Sequence, residues 1–214
     1  MSKDLFSWEL FSKVSIIGIV RNLSFDDLEY VLPQFCDAGL TNLEITMNTA
    51  QAGEMIRYAS DIYSSKMNIG AGTVCSEEDL DKALDAGAQF IVTPIVNEKV
   101  ILKCVDKRIP IFPGAFTPSE IYTAWSMGAS MIKIFPATTV GPSYIKELKG
   151  PLNRIRLLPT GGVTLDNIES FQEVGSDGYG IGSQLFDRTL IKEKDWEGLN
   201  THFQKFVEKV RPGT

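Results

Sequence analysis

The chain has 214 residues, 43% of them hydrophobic, with no linker or shift in composition, so we expect one domain with a single core over residues 1–214. Its net charge of −6 comes from interspersed acidic and basic residues, which argues against nucleic-acid and membrane-surface partners and means that an anion would need a local site. The three cysteines are not closely paired and no apolar run has the length of a signal peptide or membrane span, so we expect a cytoplasmic protein.

Strand and helix patterns alternate along the whole chain. A helix predicted over residues 4–13 carries Leu5, Trp8 and Phe11 on one face, and we expect it to cap one end of the core. Eight strand-like segments follow, and a segment of helix length comes after each of them. The predicted strands are residues 15–21, 42–47, 68–73, 90–94, 109–113, 131–135, 155–160 and 178–182.

The segments between the strands repeat in pairs. After the odd-numbered strands, a hydroxyl residue is followed three positions later by an acid or amide, a helix-start pattern found at Ser24, Ser76, Thr117 and Thr164. Before the even-numbered strands comes a glycine that can end a helix in the left-handed conformation, at Gly39, Gly87, Gly128 and Gly175. The repeat predicts an α/β fold, a single-domain (β/α)8 TIM barrel with an N-terminal capping helix, because an open sheet would leave two unpaired edges.

Lys133 stands in the middle of an apolar strand. Met131, Ile132, Ile134 and Phe135 around it indicate a strand that is buried on both faces. Burial disfavours an ammonium ion, and a neutral amine can attack a carbonyl to form a Schiff base. The alternative from this strand alone is a lysine at the rim that reaches solvent or pairs with a carboxylate.

Glu44 is the second charged residue in a strand core. In a (β/α)8 barrel, even-numbered strands contribute to the same interior layers, so Glu44 and Lys133 could face each other. Lys133 would then form an iminium with a 2-keto acid, and Glu44 would transfer protons directly or through a water. A buried ion pair with a purely structural role is the alternative.

Other candidate residues collect at the carboxyl ends of the predicted strands. Arg21 ends the first strand, while Phe135 and Pro94 could form apolar walls around a small pyruvate-like fragment. Glycines in the loops after the seventh and eighth strands would let backbone N–H groups approach a phosphate. The candidate phosphate-binding residues are Gly161, Gly162, Gly182 and Ser183.

These segments resemble the class I 2-keto-3-deoxy-6-phosphogluconate (KDPG) and 4-hydroxy-2-oxoglutarate (KHG) aldolases, over residues 15–186. Residues 43–46 look like the strand with the family's acid/base glutamate, and residues 133–137 look like its imine-lysine strand. The resemblance implies catalytic roles for Lys133 and Glu44, and substrate contacts from Thr73, Pro94 and Thr160. It also implies a homotrimer that needs no cofactor and no metal, with pyruvate and a phosphorylated aldehyde as its small-molecule partners.

Two positions give conflicting indications about the substrate. Gluconate-type enzymes often have an arginine after the second strand where this chain has Asn48, and the sister 6-phosphogalactonate enzymes have asparagine there. Residues 141–146 also resemble the galactonate type, whereas Thr160 replaces the valine of those enzymes. We favour 2-dehydro-3-deoxy-6-phosphogluconate, with 4-hydroxy-2-oxoglutarate as an additional substrate and the galactonate epimer as the alternative.

Two hypotheses from other classes stay open. One is a barrel that binds a phosphorylated ligand without catalysis, in which Lys133 and Glu44 form only an ion pair. The other is a different phosphosugar enzyme, such as an isomerase or epimerase, against which the scarcity of histidine weighs. The single histidine, His202, lies beside the apolar stripe of a helix predicted over residues 195–210, so we expect a structural role for it and no zinc site.

Overall fold

The computed structural model describes residues 6–210, which form ten helices and nine strands. The strands are β1 (Ile16–Val20), β2 (Asn42–Thr46), β3 (Asn68–Gly72), β4 (Phe90–Val92), β5 (Ile111–Phe112), β6 (Gly114–Ala115), β7 (Ile132–Ile134), β8 (Leu157–Pro159) and β9 (Tyr179–Ile181). The helices are α1 (Trp8–Lys13), α2 (Phe25–Asp37), α3 (Ala52–Tyr63), α4 (Glu77–Asp85), α5 (Glu98–Asp106), α6 (Pro118–Ser126), α7 (Ala137–Lys149), α8 (Ile168–Glu173), α9 (Arg188–Glu193) and α10 (Trp196–Val210).

The strands form two parallel sheets. Six strands pair in the order β5, β4, β3, β2, β1, β9, and three pair in the order β6, β7, β8. The second sheet meets β9 through a parallel bridge between Thr160 and Gly180. Every strand is buried, and helices separate most consecutive strands, so the predicted α/β class with parallel pairing is confirmed.

All eight predicted strands are present, but the fifth was predicted to end too early. The chain continues past Pro113 into β6, which pairs with β7. Proline has no N–H and interrupts the ladder, so the fifth strand is divided into β5 and β6. The Pro113 carbonyl still accepts a hydrogen bond of 2.9 Å from the Lys133 N–H.

Three of the four predicted helix starts are confirmed. Ser24, Ser76 and Thr117 are N-caps, and each side-chain oxygen accepts from a backbone N–H three residues later. The prediction at Thr164 was wrong, because α8 begins after Asn167. Asn167 instead accepts from the Thr164 N–H and donates to the Gly162 carbonyl, which holds residues 164–167 as a turn.

The predicted helix stops are confirmed at all four glycines. Each has a left-handed φ, from 85° to 103°, that residues with a Cβ rarely adopt. The glycines are Gly39, Gly87, Gly128 and Gly175.

The first helix is shorter than predicted. Residues 4 and 5 of the prediction lie outside the described residues, and α1 begins at Trp8 because the Ser7 side chain caps it by accepting from the Leu10 N–H. Trp8 and Phe11 pack against Phe112 with ring centroids 6.3 and 6.4 Å away. Helix α1 therefore packs against β5.

The terminal helix α10 confirms the structural environment predicted for His202. The ring contacts Phe206, and Nε2 lies 2.9 Å from the Gln184 carbonyl oxygen. The helix buries its apolar face, including Leu199 and Phe203, against the body of the protein. In the described part of the chain, no helix combines the length and apolarity needed to cross a bilayer.

Candidate active site

Lys133 lies at the centre of the three-stranded sheet. It is the middle residue of β7, opposite Gly114 of β6 and Leu158 of β8, and only 2% of its surface is exposed. The neighbouring Ile132 and Ile134 point to the opposite face of the strand and pack in the main hydrophobic core. The amine therefore points to the other face, where Nζ lies 4.8 Å from the centroid of the Phe135 ring.

Glu44 is the middle residue of β2, and 1% of its surface is exposed. It lies opposite Ile19 of β1 and Gly70 of β3. Its Oε1 atom is buried and has no hydrogen-bond partner among residues 6–210. A buried carboxylate oxygen without a partner is energetically costly, which is typical of a group kept for chemistry rather than for stability.

The two charged groups influence each other electrostatically. Burial lowers the pKa of the Lys133 amine; the charge of Glu44 opposes this shift and that of Arg21 adds to it. Burial raises the pKa of the Glu44 carboxyl, against the opposing effects of Lys133 and Arg21. No salt bridge within 4.0 Å involves Lys133 in the described ranges. Both groups are thus shifted toward their neutral forms, the form in which an amine is nucleophilic and a carboxyl can donate a proton.

A cavity of about 620 Å³ opens beside Lys133. Eight predicted site residues line it: Arg21, Lys133, Phe135, Thr160, Gly161, Gly162, Gly182 and Ser183. Lys133 comes from the middle of β7, and the other seven come from the segments directly after β1, β7, β8 and β9. The structure therefore brings together the predicted nucleophile and the predicted phosphate loops on one cavity wall.

Three predicted site residues do not line this cavity. The carboxylate of Glu44 lies over Gly72 of β3. Thr73 follows β3 in a left-handed conformation with φ of 56°, and Pro94 lies two residues after β4, where its carbonyl approaches Gly114. Thr73 and Pro94 thus follow neighbouring strands β3 and β4, away from the phosphate loops.

The two glycine loops differ in conformation. Gly161 and Gly162 have φ of 87° and 78°, so these positions favour glycine. A Cβ at Gly162 would also collide with Thr138 of α7, so the loop lies directly against the start of that helix. Gly182 accepts backbone hydrogen bonds from Leu185 and Phe186, which turns the chain toward α9.

Sequence reasoning missed two cations in this cavity. Arg188 and Lys192 of α9 line it together with Asp27 of α2. Exposed charges on a short helix look like an ordinary solvated face, and the signal that could have identified them is their position directly after the predicted phosphate loop. The four-residue spacing places both cations on one side of the helix.

A hydrogen-bond network that connects the first two strand ends was also missed. The Asn22 N–H donates to Thr49 Oγ1 at 3.1 Å, and this oxygen lies 3.0 Å from Thr46 Oγ1. Asn22 has a left-handed φ of 55°, so the turn after Arg21 is fixed by a specific contact. The residues are 27 apart in sequence, and no local pattern indicates that they meet.

Comparisons with known proteins agree with this geometry. The family model for KDPG and KHG aldolases matches residues 9–201. The 2-dehydro-3-deoxy-6-phosphogalactonate aldolase of Escherichia coli K12 is 37% identical over 201 residues, which cover 94% of this chain and 98% of that protein. The 2-dehydro-3-deoxy-phosphogluconate aldolase of Pseudomonas aeruginosa is 36% identical over 172 residues, which cover 80% of this chain and 78% of that protein. A solved structure described as native KDPGal has a TM-score of 0.86 at 34% identity, covering 93% of this chain and 95% of that one.

The matches extend over nearly all of the described residues, including β2 with Glu44 and β7 with Lys133. They confirm the family resemblance and, with it, the predicted enzyme class, a carbon–carbon lyase of the aldolase type. The chain belongs to the KDPG and KHG aldolase family.

Proposed function

We propose that this chain is a class I aldolase that reversibly cleaves 2-dehydro-3-deoxy-6-phosphogluconate into pyruvate and glyceraldehyde 3-phosphate. The observation that carries the proposal is the environment of Lys133: a buried amine with a lowered pKa, on a cavity wall, near a buried carboxyl with an unpartnered oxygen. A structural ion pair would be expected to form a close contact, yet the two groups form no salt bridge within 4.0 Å in the described residues. The non-catalytic alternative therefore lacks its central contact.

The proposed reaction begins when the lone pair of Lys133 Nζ attacks the C2 carbonyl carbon of the substrate. Proton transfers and loss of water convert the adduct into an iminium, which acts as an electron sink. The C4 hydroxyl proton passes to Glu44, directly or through a water, as the C3–C4 bond breaks and its electron pair enters an enamine. Glu44 then returns a proton to C3, and water hydrolyses the iminium to release pyruvate and the free amine.

The cavity suits an extended phosphorylated acid. Phe135 and Thr160 line it, and the Phe135 ring centroid lies 4.8 Å from Lys133 Nζ. The Gly161–Gly162 and Gly182–Ser183 loops are proposed to hold the phosphate through backbone N–H groups. Arg21 is proposed to contact an anionic group of the substrate. Thr73 and Pro94 are proposed to enclose the pyruvate fragment on the side away from the phosphate.

The galactonate epimer is the second candidate substrate. It is favoured by the E. coli relative that is 37% identical and by Asn48, whereas Thr160 favours the gluconate epimer. The 4-hydroxy-2-oxoglutarate reaction, which yields pyruvate and glyoxylate, is proposed as an additional activity. These substrates share the 2-keto group and differ in the part of the molecule that lies away from Lys133.

We also infer that residues 1–214 form one closed (β/α)8 barrel with α1 capping its amino-terminal end. The Thr160–Gly180 bridge and the hydrogen bond from the Lys133 N–H to Pro113 support closure at the two junctions between the sheets. A homotrimer is proposed from the family, and exposed apolar side chains at Ile95, Phe116 and Tyr122 support association. A cytoplasmic location remains our proposal.

The test combines covalent trapping with a substrate assay. Borohydride with pyruvate should add the mass of a reduced pyruvate adduct to Lys133 in the wild type, and Lys133→Ala should take up none. Pyruvate release from both phosphorylated epimers, followed side by side, should fall in the variant to the uncatalysed rate. A wild type that neither traps pyruvate nor releases it would contradict the aldolase proposal and favour the binding barrel, whereas trapping without release would point to a shorter or unphosphorylated keto acid.

A further inference from the structure

Three cations line the cavity beyond Lys133: Arg21, Arg188 and Lys192. None of them forms a salt bridge within 4.0 Å to a carboxylate of residues 6–210. The chain has a net charge of −6, so carboxylates are abundant, and other lysines, such as Lys103 and Lys149, do have such partners. Unpaired cations around one cavity of an acidic protein indicate an anionic ligand.

The arrangement of two of these cations on α9 has an energetic cost. Arg188 and Lys192 are separated by four residues, so their charges lie on the same side of the helix and repel each other. Ile191 lies between them and is buried, which orients this side of α9 toward the cavity. A bound anion would relieve the repulsion.

The same wall carries one carboxylate, Asp27, whose Oδ2 accepts the hydroxyl hydrogen of Ser24 at 2.6 Å. One acid against three cations leaves two positive charges in excess, without counting Lys133. This excess matches the charge of a phosphate monoester dianion.

The position of α9 is fixed relative to the phosphate loop. The carbonyl of Gly182 accepts from Leu185 and Phe186, and Asp187 caps the helix through the N–H groups of Thr189 and Leu190. The chain therefore passes from Gly182–Ser183 into α9 through one short, hydrogen-bonded turn. Arg188 and Lys192 consequently belong to the phosphate end of the cavity.

We propose that Arg188 and Lys192 are specificity-determining residues that select the phosphorylated substrate by binding its phosphate dianion from the α9 side. The proposal rests on the aldolase function above. It assigns to these two side chains the positive charge that the neutral backbone N–H groups of the glycine loops do not offer to the phosphate. The Arg188 guanidinium can donate two parallel hydrogen bonds to phosphate oxygens, and the Lys192 ammonium adds a mobile point charge. Both side chains are exposed, so salt should screen their contribution strongly.

The experiment measures kcat/KM for the phosphorylated acid and for its unphosphorylated analogue in Arg188→Gln, Lys192→Gln and the double variant. We expect the ratio of the two values to fall about threefold to tenfold in each single variant and further in the double, mainly through KM of the phosphorylated acid. Inorganic phosphate, used as a competitive inhibitor, should bind more weakly to the same variants, and the difference should shrink at high salt. Lys99→Gln and Lys205→Gln remove one exposed charge outside the cavity and serve as controls for net charge.

An unchanged ratio and an unchanged phosphate inhibition constant in the double variant would overturn the assignment. An equal fall of the kcat/KM ratio in the two lysine controls would also overturn the assignment, since the effect would then reflect the net charge of the protein. Failure of the proposed function looks different, because the wild type itself would then neither trap pyruvate at Lys133 nor cleave either keto acid.

Discussion

The carboxylate of Glu44 occupies the space that a side chain on Gly72 would need. A Cβ at Gly72 would overlap Oε1, Cδ and Cγ of Glu44, whose strand is paired with β3 in parallel register. Glycine is therefore required at position 72 because the Glu44 side chain packs closely against its backbone, and not because the chain turns there. It leaves the buried carboxylate room to point toward the interior, where Lys133 affects its pKa.

Gly72→Ala should displace the Glu44 carboxylate and reduce kcat/KM by about 100-fold, the lower end of the contribution of a general acid or base. The new methyl group cannot coexist with the present position of the carboxylate, although the end of the glutamate side chain can rotate away. Steady-state pyruvate release would measure the loss. Gly53→Ala in α3, where a Cβ meets nothing within 4 Å, is the matched control and should retain full activity. Equal activity in the two variants would show that the carboxylate position is not critical.

Glu44→Gln should change how stability depends on pH. Burial raises the folded-state pKa of Glu44 above its value of 4.5 in the unfolded chain. At pH values between these two pKa values the native state binds more protons than the unfolded state. The wild type should therefore lose stability as pH rises through this window, by about 1.4 kcal/mol for each pH unit that the window spans, and the variant should not. Urea unfolding at several pH values would measure the difference, and parallel curves for the two proteins would contradict the expected dependence.

The sequence predicts the strand skeleton and the buried positions of Lys133 and Glu44 well because both depend on local signals. An ionisable residue between apolar β-strand neighbours is visible without a structure, as are the glycines that end helices in the left-handed conformation. The errors concern competition between local interactions: Pro113 divides one strand, and Asn167 takes the capping position predicted for Thr164. The missed residues depend on long-range geometry, since the contact of Asn22 with Thr49 has no local signature.

Lys133→Met should stabilise the protein while abolishing activity. Burial lowers the folded-state pKa of Lys133 below its value of 10.5 in the unfolded chain. Between these two pKa values the unfolded state binds more protons than the native state, so the stability of the wild type rises with pH in this range. Methionine removes the cost of burying the amine, so the free energy of unfolding of the variant should exceed that of the wild type by about 1–3 kcal/mol near neutral pH. This difference should disappear toward pH 10.5. Denaturant midpoints would test this. Lys205→Met, on an exposed position of α10, should change stability by less than about 0.5 kcal/mol, and an equal gain there would refute the explanation.

Thr160→Val should shift substrate preference toward the galactonate epimer. Thr160 is 4% exposed, and its hydroxyl donates a 3.3 Å bond to the Leu158 carbonyl while it lines the cavity. Valine has nearly the same shape without the hydroxyl, so the ratio of kcat/KM for the two phosphorylated epimers should change by about twofold to tenfold. Borohydride trapping of pyruvate on Lys133 should be unaffected, because pyruvate lacks the hydroxyl-bearing carbon. Equal losses for both epimers would assign Thr160 a role in strand structure alone.

Thr49→Val should weaken substrate binding through Arg21. The Thr49 hydroxyl oxygen accepts the Asn22 N–H and thereby fixes the turn that carries the Arg21 side chain into the cavity. Loss of this acceptor should raise KM for the phosphorylated acid several-fold with a smaller effect on kcat, and Thr49→Ser, which keeps the oxygen, should restore KM.

The matched control for Thr49→Val is Thr41→Val. Thr41 precedes β2 and Thr49 follows it, so the two residues lie at opposite ends of this strand. The Thr41 hydroxyl donates to the Leu10 carbonyl at 2.7 Å, and neither of these residues lines the cavity. Each variant removes a hydroxyl that takes part in two hydrogen bonds, so both should lose a similar amount of stability, about 1–3 kcal/mol. Only Thr49→Val should raise KM, because only its bond supports a residue of the cavity wall. If both variants lost the same stability and neither changed KM, Thr49 would be a structural residue and the position of Arg21 would not depend on it.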